Sequence, residues 1–276
     1  MKKIPSIYKT ALLAAVAGAD AIMKVYQRSF ETTIKPDGSP VTEADQISSA
    51  IIAQHLMTTQ IPIVGEERDK IDYSIRKNYT QNWCVDPLDG TKEFIKRNDE
   101  FAVNIALIEK QVAVFGLIAS PVEQKIIFGG KKLGVFLWDY KNDFEMKQLK
   151  TVKRKSWDGV KLTWIGSRSH HMDYSSFFDE INEKFESLEQ ICKGSALKFF
   201  DLTVGKVELY PRFAPTMEWD IAAGHAIINE LGGTIVDATT HEELKYNKES
   251  LFNPHFICKT SAYLDVEKTM TNTTKV

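Results

Sequence analysis

The sequence predicts a mixed protein, α+β in its first half and α/β in its second. Three observations carry this. Apolar residues recur at helical spacing near the N-terminus. Closely spaced β-rich runs follow between residues 101 and 149. Beyond residue 160, short strands and helices alternate. A chain of 276 residues suits one large domain or two ordinary ones. Hydrophobic residues are 43% and charged residues 26%, enough apolar material for a core that needs no disulfide or metal staple.

The elements follow in order. Leu12, Ala15, Val16, Ala19, Ile22, Met23 and Tyr26 keep an i, i+3, i+4, i+7 pattern, so a helix covers about Ser6 to Arg28. Lys35 to Pro40 reads as a polar loop. Thr42-Glu43-Ala44-Asp45 has capping-box spacing and opens a second helix reaching about Met57. Ile61 to Val64 and Trp83 to Val85 read as short buried strands, ending at Gly65-Glu66-Glu67 and Asp86-Pro87. Val103 to Ile108, Val112 to Ile118, Lys125 to Phe128 and Val135 to Trp138 read as an antiparallel meander. Thr151 to Gly159, polar and basic, is the candidate boundary between a domain of residues 1–152 and one of 160–276. Strands then fall at Leu162 to Gly166, Ser187 to Cys192, Val207 to Tyr210 and Thr234 to Val236. Helices fall at Tyr174 to Phe185, Ser195 to Val204 and Asp220 to Leu231.

Composition excludes several classes. Lys and Arg number 35 against 37 Asp and Glu, a net charge of -2. A nucleic-acid coat or a polybasic membrane binder needs a positive excess, so neither is expected. Cys84, Cys192 and Cys258 are odd in number, widely spaced and without a CxxC; this suits a reducing compartment and argues against a disulfide scaffold or a zinc site. The apolar run Ala11 to Ala19 falls short of the ~20 residues of a membrane span. Lys2, Lys3 and Lys9 before it, with Ala17-Gly18-Ala19, form the pattern of a cleaved leader. The helical periodicity runs straight through that cleavage point, which favours a retained helix. A cytoplasmic location is expected, with peripheral contact to the inner membrane left open.

The chemistry lies in four acidic clusters: Asp45, Glu66-Glu67, Asp86 with Asp89, and Asp220. The middle two sit where apolar strands stop, at the mouth of a sheet, where sites are commonly built. In Asp86-Pro87-Leu88-Asp89-Gly90-Thr91, Pro87 fixes one dihedral and Gly90 permits an unusual one, so two carboxylates and the Leu88 carbonyl can wrap one point. Thr91 then opens a helix whose free N–H groups favour an anion. Converging carboxylates repel, a bound cation removes that conflict, and oxygen-only ligands select a hard ion such as Mg²⁺. Two such ions would activate a water and stabilise a leaving oxygen. Each acid taken alone reads equally well as a cap or a strand-end turn.

These segments resemble a known signature. Glu66-Glu67, Asp86-Pro87-Leu88-Asp89-Gly90-Thr91 and Trp219-Asp220-Ile221-Ala222-Ala223-Gly224 are similar to the lithium-sensitive, Mg²⁺-dependent phosphatases of the inositol monophosphatase superfamily. Within it, the resemblance is to the bacterial 3′(2′),5′-bisphosphate nucleotidase branch. It extends through Ser39 to Asp45, Lys92 to Arg97, Phe101 to Ile108, Ser167-Arg168-Ser169-His170, Gly194 to Phe199 and Leu209 to Phe213. The resemblance implies a five-layer αβαβα sandwich of the sugar-phosphatase type and two or three Mg²⁺ ions. It implies that Glu66, Asp86 and the Leu88 carbonyl hold one ion, and Asp86, Asp89 and Asp220 another. Thr91 paired with Asp45 would orient and deprotonate the attacking water, and Glu67 would tune a water held by the metal. The N–H groups of Gly90 and Thr91 would grip the scissile phosphate. Arg68, where many relatives have an acidic or small residue, departs from the pattern without removing a ligand.

The implied substrate is 3′-phosphoadenosine 5′-phosphate, a by-product of sulfate assimilation, or its 5′-phosphosulfate form. Its second phosphate needs positive charge, for which Arg212, Lys198 and Arg168 are candidates. By the resemblance, Ser167, His170, Ser195 and Lys198 would meet sugar or phosphate, Arg212 the 5′-phosphate or the base side, and Tyr210 would stack on the adenine. A small-molecule nucleotide is thus the expected partner, with no nucleic acid, no transmembrane segment, and a monomer or homodimer. Two other readings stand beside it: an inositol- or sugar-phosphate phosphatase, and a non-catalytic nucleotide-sensing module on the same fold.

Overall fold

The computed structural model describes residues 4–143, 145–169, 172–179 and 181–273. The chain opens with α1 (Ser6–Tyr26). The polar loop expected over Lys35 to Pro40 is the turn of a small antiparallel hairpin, β1 (Thr32–Ile34) on β2 (Pro40–Thr42), whose second strand takes up Pro40. The Lys35–Ser39 turn that joins its strands is the only part of that segment that is loop.

Then come α2 (Glu43–Met57), β3 (Ile63–Gly65), α3 (Tyr73–Arg76), β4 (Gln81–Asp89) and α4 (Thr91–Ile95). The meander is β5 (Ala102–Glu109), β6 (Val112–Ser120), β7 (Lys125–Gly130) and β8 (Gly134–Asp139), extended by β9 (Lys150–Val152). The remaining elements are β10 (Lys161–Ser167), α5 (Ser175–Asp179), β11 (Ser187–Lys193), α6 (Lys198–Thr203), β12 (Leu209–Arg212), α7 (Glu218–Glu230), β13 (Thr234–Asp237), β14 (Phe256–Lys259) and α8 (Ser261–Thr273).

Two sheets organise these elements. The larger has seven strands in the order β3-β4-β5-β6-β7-β8-β9, antiparallel except for the β3/β4 pair. The smaller has the order β11-β10-β12-β14-β13. Its β10/β11 and β10/β12 pairs are parallel, as alternation predicts. Its β14 runs antiparallel to both neighbours, so the second half is a mixed sheet rather than a purely parallel one. The expected helix from Tyr174 to Phe185 is also shorter. It is α5 followed by a 3-10 turn at Asn182–Lys184.

Both faces of the large sheet are buried, and for that reason its strands read as continuous apolar runs rather than as alternation. Trp83, Val85, Val103, Ile105 and Leu107 pack under α1 and α2. The intervening Cys84, Ala102, Ala106 and Ile108 pack against α7 and the inner face of the small sheet, where Ile165, Tyr210, Phe256 and Cys258 lie. Leu162, Trp164, Leu209 and Ile257 point the other way, towards Tyr174, Phe178 and Tyr263 of the outer layer. The result is five layers, αβαβα. Small residues set the spacing at the centre: a Cβ on Gly116 of β6 would lie 2.1 Å from the Ala223 carbonyl oxygen of α7.

The first helix is 21 residues and apolar enough, by length and composition, to cross a membrane, longer than the Ala11–Ala19 run suggests. Its apolar stripe is spent on the core: Leu12 and Ile22 are fully buried. Burying each such side chain contributes about 1.5–3 kcal/mol.

Candidate active site

Each acidic side chain is aimed by a local feature of the chain. The second helix begins as expected: the Thr42 amide and hydroxyl donate to Asp45 Oδ2 at 2.8 and 2.7 Å, and Ala44 N–H donates to Thr42 Oγ1. The cap consumes one oxygen of Asp45. The other, Oδ1, accepts from Thr91 Oγ1 at 2.8 Å. One carboxylate thus serves as helix cap and as partner of the hydroxyl.

Strand β4 does not stop at Asp86, as the sequence suggests, but runs on to Asp89 through a bulge. Asp86 faces Asn104 and Asp89 faces Ala102, so the three steps from 86 to 89 oppose only two on β5. Residues three apart on a regular strand point to opposite faces. The extra residue at Pro87–Leu88 turns Asp89 back to the side of Asp86. That side faces α7, where Asp220 sits in the first turn and accepts the Met217 N–H at 2.8 Å.

Carboxylate oxygens of Asp86, Asp89 and Asp220 therefore all fall within 4.8 Å of one another. Each is pinned through one oxygen. Asp86 Oδ1 accepts from Leu88 N–H, and Asp220 Oδ2 from Met217. Asp89 Oδ2 accepts from Asn104 Nδ2 at 3.2 Å, Ser195 Oγ at 3.0 Å and Ala196 N–H at 2.5 Å. Ser195 makes its contribution from a left-handed backbone conformation, φ 56°, which a non-glycine residue adopts at a cost.

Burial, then mutual repulsion, lifts the acids of Asp86 and Asp220 well above the usual carboxylate range. Burial also raises Asp89, against the pull of Lys198 and its three donors, and raises Glu66. The side chain of Lys35, on the hairpin turn, reaches Glu66 at 2.9 Å and also bonds Glu67. Burial opposes its charge, but those two partners hold it protonated. A cluster of buried, like-charged oxygen donors is the environment that a hard divalent cation relieves. Asp86, Asp89, Asp220, Glu66 and the Leu88 carbonyl fit Mg²⁺ in donor type.

These groups line one cleft of about 280 Å³. Gly90, at φ 94°, precedes α4, and the helix begins at Thr91, so its first amides have no intrahelical acceptor. The cleft also meets Ser167, Ser195, Lys198, Tyr210 and Arg212. Lys198 is 5% exposed and donates to the carbonyls of Ser195 and Lys193 at 2.7 and 3.1 Å. Burial, aided by nearby Arg212, pulls its pKa down to about 8, while Asp89 pulls the other way. Arg212 is 6% exposed, and its Nε has no hydrogen-bond partner.

Two expectations fail here, and one lies out of reach. Arg168 is not on the cleft; it makes a two-point pair with Glu100 at 2.5 and 2.7 Å. Tyr210 touches the cleft but offers a base little ring face: it is 3% exposed, packed edge-on against Phe199 and Phe256, with Lys198 Nζ over its ring at 5.4 Å. His170 lies outside the described residues. Conversely, Lys35, Glu93 and Asn104 join the site without having been singled out. The signal for Asn104 was present, as the one polar residue inside Ala102–Ile108.

Comparison with known proteins agrees with this geometry. The Inositol monophosphatase family model matches residues 4–269, and the chain belongs to that family. Within it, the chain is 38% identical over 252 residues to the 3′(2′),5′-bisphosphate nucleotidase CysQ of Salmonella typhimurium, covering 88% of this chain and 95% of that one. It is 36% identical over 250 residues to the CysQ of Escherichia coli K12, again with 88% and 95% covered. Among solved structures, CysQ from Bacteroides thetaiotaomicron superposes with a TM-score of 0.80 at 36% identity, covering 92% of this chain and 96% of that one. The inositol monophosphatase of Thermotoga maritima shares the fold, with a TM-score of 0.72 at 18% identity and coverage of 98% and 99%.

Proposed function

We infer that this chain is a 3′(2′),5′-bisphosphate nucleotidase, a phosphoric monoester hydrolase. It converts 3′-phosphoadenosine 5′-phosphate and water to AMP and phosphate, and it accepts the 5′-phosphosulfate analogue. The observation that carries the reading is one cleft with two unlike walls. On one side stand Asp86, Asp89 and Asp220 beside the Thr91–Asp45 pair. On the other stand Lys198 and Arg212, two buried cations that line the cleft. A monophosphate gives the second wall nothing to bind.

Glu66, Asp86, the Leu88 carbonyl, Asp89 and Asp220 would hold two or three Mg²⁺ ions, which would supply a nucleophilic water at neutral pH and charge to oppose that of the leaving oxygen. Thr91 donates its own proton to Asp45, so its oxygen lone pairs accept a proton from the attacking water. Burial raises the pKa of Asp45 towards the range useful for a base, although its hydrogen bonds to Thr42 and Thr91 oppose this. The water oxygen bonds to phosphorus as the phosphorus–oxygen bond to the 3′ position breaks, the water's proton passes through Thr91 to Asp45, and the leaving oxygen takes a proton from solvent water to become a hydroxyl. The Gly90 and Thr91 amides bind the phosphate being released. Arg212 and Lys198 hold the 5′-phosphate, with Ser167, Ser195 and His170 along the sugar. Glu67, next to Glu66, tunes the water from beside the metals. Lithium inhibits, and the enzyme works in the cytoplasm, the reducing compartment that suits its three unpaired thiols.

Phosphate release in Mg²⁺, compared between 3′-phosphoadenosine 5′-phosphate, inositol 1-phosphate and fructose 1,6-bisphosphate, tests the reading. The nucleotide is preferred, and chelation abolishes the rate. Preference for inositol or sugar phosphate would overturn the role of Lys198 and Arg212. Release from none of the three would point to a nucleotide-sensing module.

A further inference from the structure

Glu93 is a buried carboxylate that the hydrolysis just described does not use. It lies in the first turn of α4, two residues after Thr91. It is 5% exposed and lines the cleft. Its Oε1 accepts from Ser169 Oγ. The chain leaves space for it: a Cβ on Gly194 would lie 2.8 Å from Glu93 Cγ. No ion pair neutralises it among the described residues, and no described donor reaches Oε2.

A carboxylate oxygen facing a polyanion site is unfavourable unless the ligand brings a donor to it. Phosphate oxygens cannot donate. A hydroxyl next to the phosphate can. Gly90, Thr91 and Glu93 line the same cleft, which places the Glu93 carboxylate in the space that holds the phosphate Thr91 and Gly90 receive. We propose that Glu93 Oε2 accepts a hydrogen bond from the ribose hydroxyl adjacent to the scissile phosphate, and that it thereby selects ribonucleotide over deoxyribonucleotide bisphosphates. The role rests on the nucleotidase reading above. It also fits a site that takes either phosphate position, since each leaves the neighbouring oxygen as the donor.

The test compares kcat/KM for adenosine 3′,5′-bisphosphate and its 2′-deoxy counterpart in the wild type, Glu93→Ala and Glu93→Gln. The wild type prefers the ribose form by about 10- to 100-fold, the range for one hydrogen bond to a charged group. In Glu93→Ala that ratio falls to near one. In Glu93→Gln, whose amide oxygen still accepts but carries no charge, it lies between. A purely structural Glu93, holding only Ser169, would slow both substrates together and keep the ratio, which overturns the proposal. A wild type with no preference overturns it too. Glu93→Gln keeps the side-chain shape and carries the comparison if Glu93→Ala does not fold. Should the wild type hydrolyse neither nucleotide but release phosphate from inositol 1-phosphate, the nucleotidase reading itself has failed, and this role falls with it.

Discussion

Asp45, Asp86, Asp89 and Asp220 share a device: one carboxylate oxygen is tied to the protein and the other is left for chemistry. For Asp45 and Asp220 the tie is a helix-capping bond, for Asp86 it is its own turn, and for Asp89 it is three donors from two elements. Orientation is thereby fixed before any ligand arrives, which is how a polar site avoids reorganising during reaction. Asp89→Asn keeps the size of the side chain but removes one charge from the cluster. Turnover at saturating Mg²⁺ is expected to drop by about 10²–10³-fold with the circular dichroism spectrum unchanged; a near-normal rate would sink the metal assignment. Lys198 gives a pH prediction. Its folded pKa of about 8 lies below the ordinary 10.5. Between those values the unfolded chain holds more protons, so this group makes stability rise with pH there, while the ammonium proposed to meet phosphate is lost above about 8. The kcat/KM profile for the bisphosphate should therefore fall on the alkaline side near that value. In Lys198→Arg the limb should move to higher pH, and an unmoved limb would assign it to another group.

At the scale of elements, what mattered was how strands end and helices begin. The capping box of α2 was legible from Thr42-Glu43-Ala44-Asp45 because the motif is local and its chemistry is complete within four residues. The continuation of β4 to Asp89 was not, since Pro87 lacks an N–H and reads as a strand terminator, whereas a bulge absorbs it. The β1–β2 hairpin escaped notice because three-residue strands carry no period to detect. The α7–β6 contact sets the position of Asp220. Gly116→Ala would drive a methyl into the Ala223 carbonyl and displace α7. A loss of about 1–3 kcal/mol in urea unfolding is expected, with weaker Mg²⁺ binding by calorimetry. A variant of unchanged stability would show that this contact yields more easily than its geometry implies.

For the molecule as a whole, the acidic cluster joins parts far apart in the chain: β4 on the large sheet and α7, the helix packed between the sheets. Ions held there would bind the folded state alone and so would stabilise it. The sign with pH follows from the raised acids of Asp86, Asp89 and Asp220. Folded carboxyls that hold protons more tightly than unfolded ones stabilise the metal-free protein at acid pH. That contribution is lost as pH rises through their folded values. Mg²⁺ binds the ionised form, so its effect runs the other way. The rise in melting temperature on adding Mg²⁺ should be larger at about pH 8 than at about pH 5. An equal rise at both would mean that the ions do not compete with those protons.

The sequence by itself determined the elements whose chemistry is local or periodic: α1 from its apolar stripe, α2 from its cap, the meander from its apolar runs, and the family from motifs in order. It also showed which acids belong together, because their spacing matches a signature. Only the tertiary structure decided where these meet. It showed that a bulge turns Asp89 to the side of Asp86, that α7 carries Asp220 to both, and that Arg168 is spent on Glu100 while Arg212 lines the cleft. It also buried Tyr210 almost completely, brought Lys35 and Asn104 onto the site's acids, and set Glu93 on the cleft. The reason is physical. A cap or a strand is a property of neighbouring residues, whereas the field and the partners of a buried charge depend on side chains a hundred residues away.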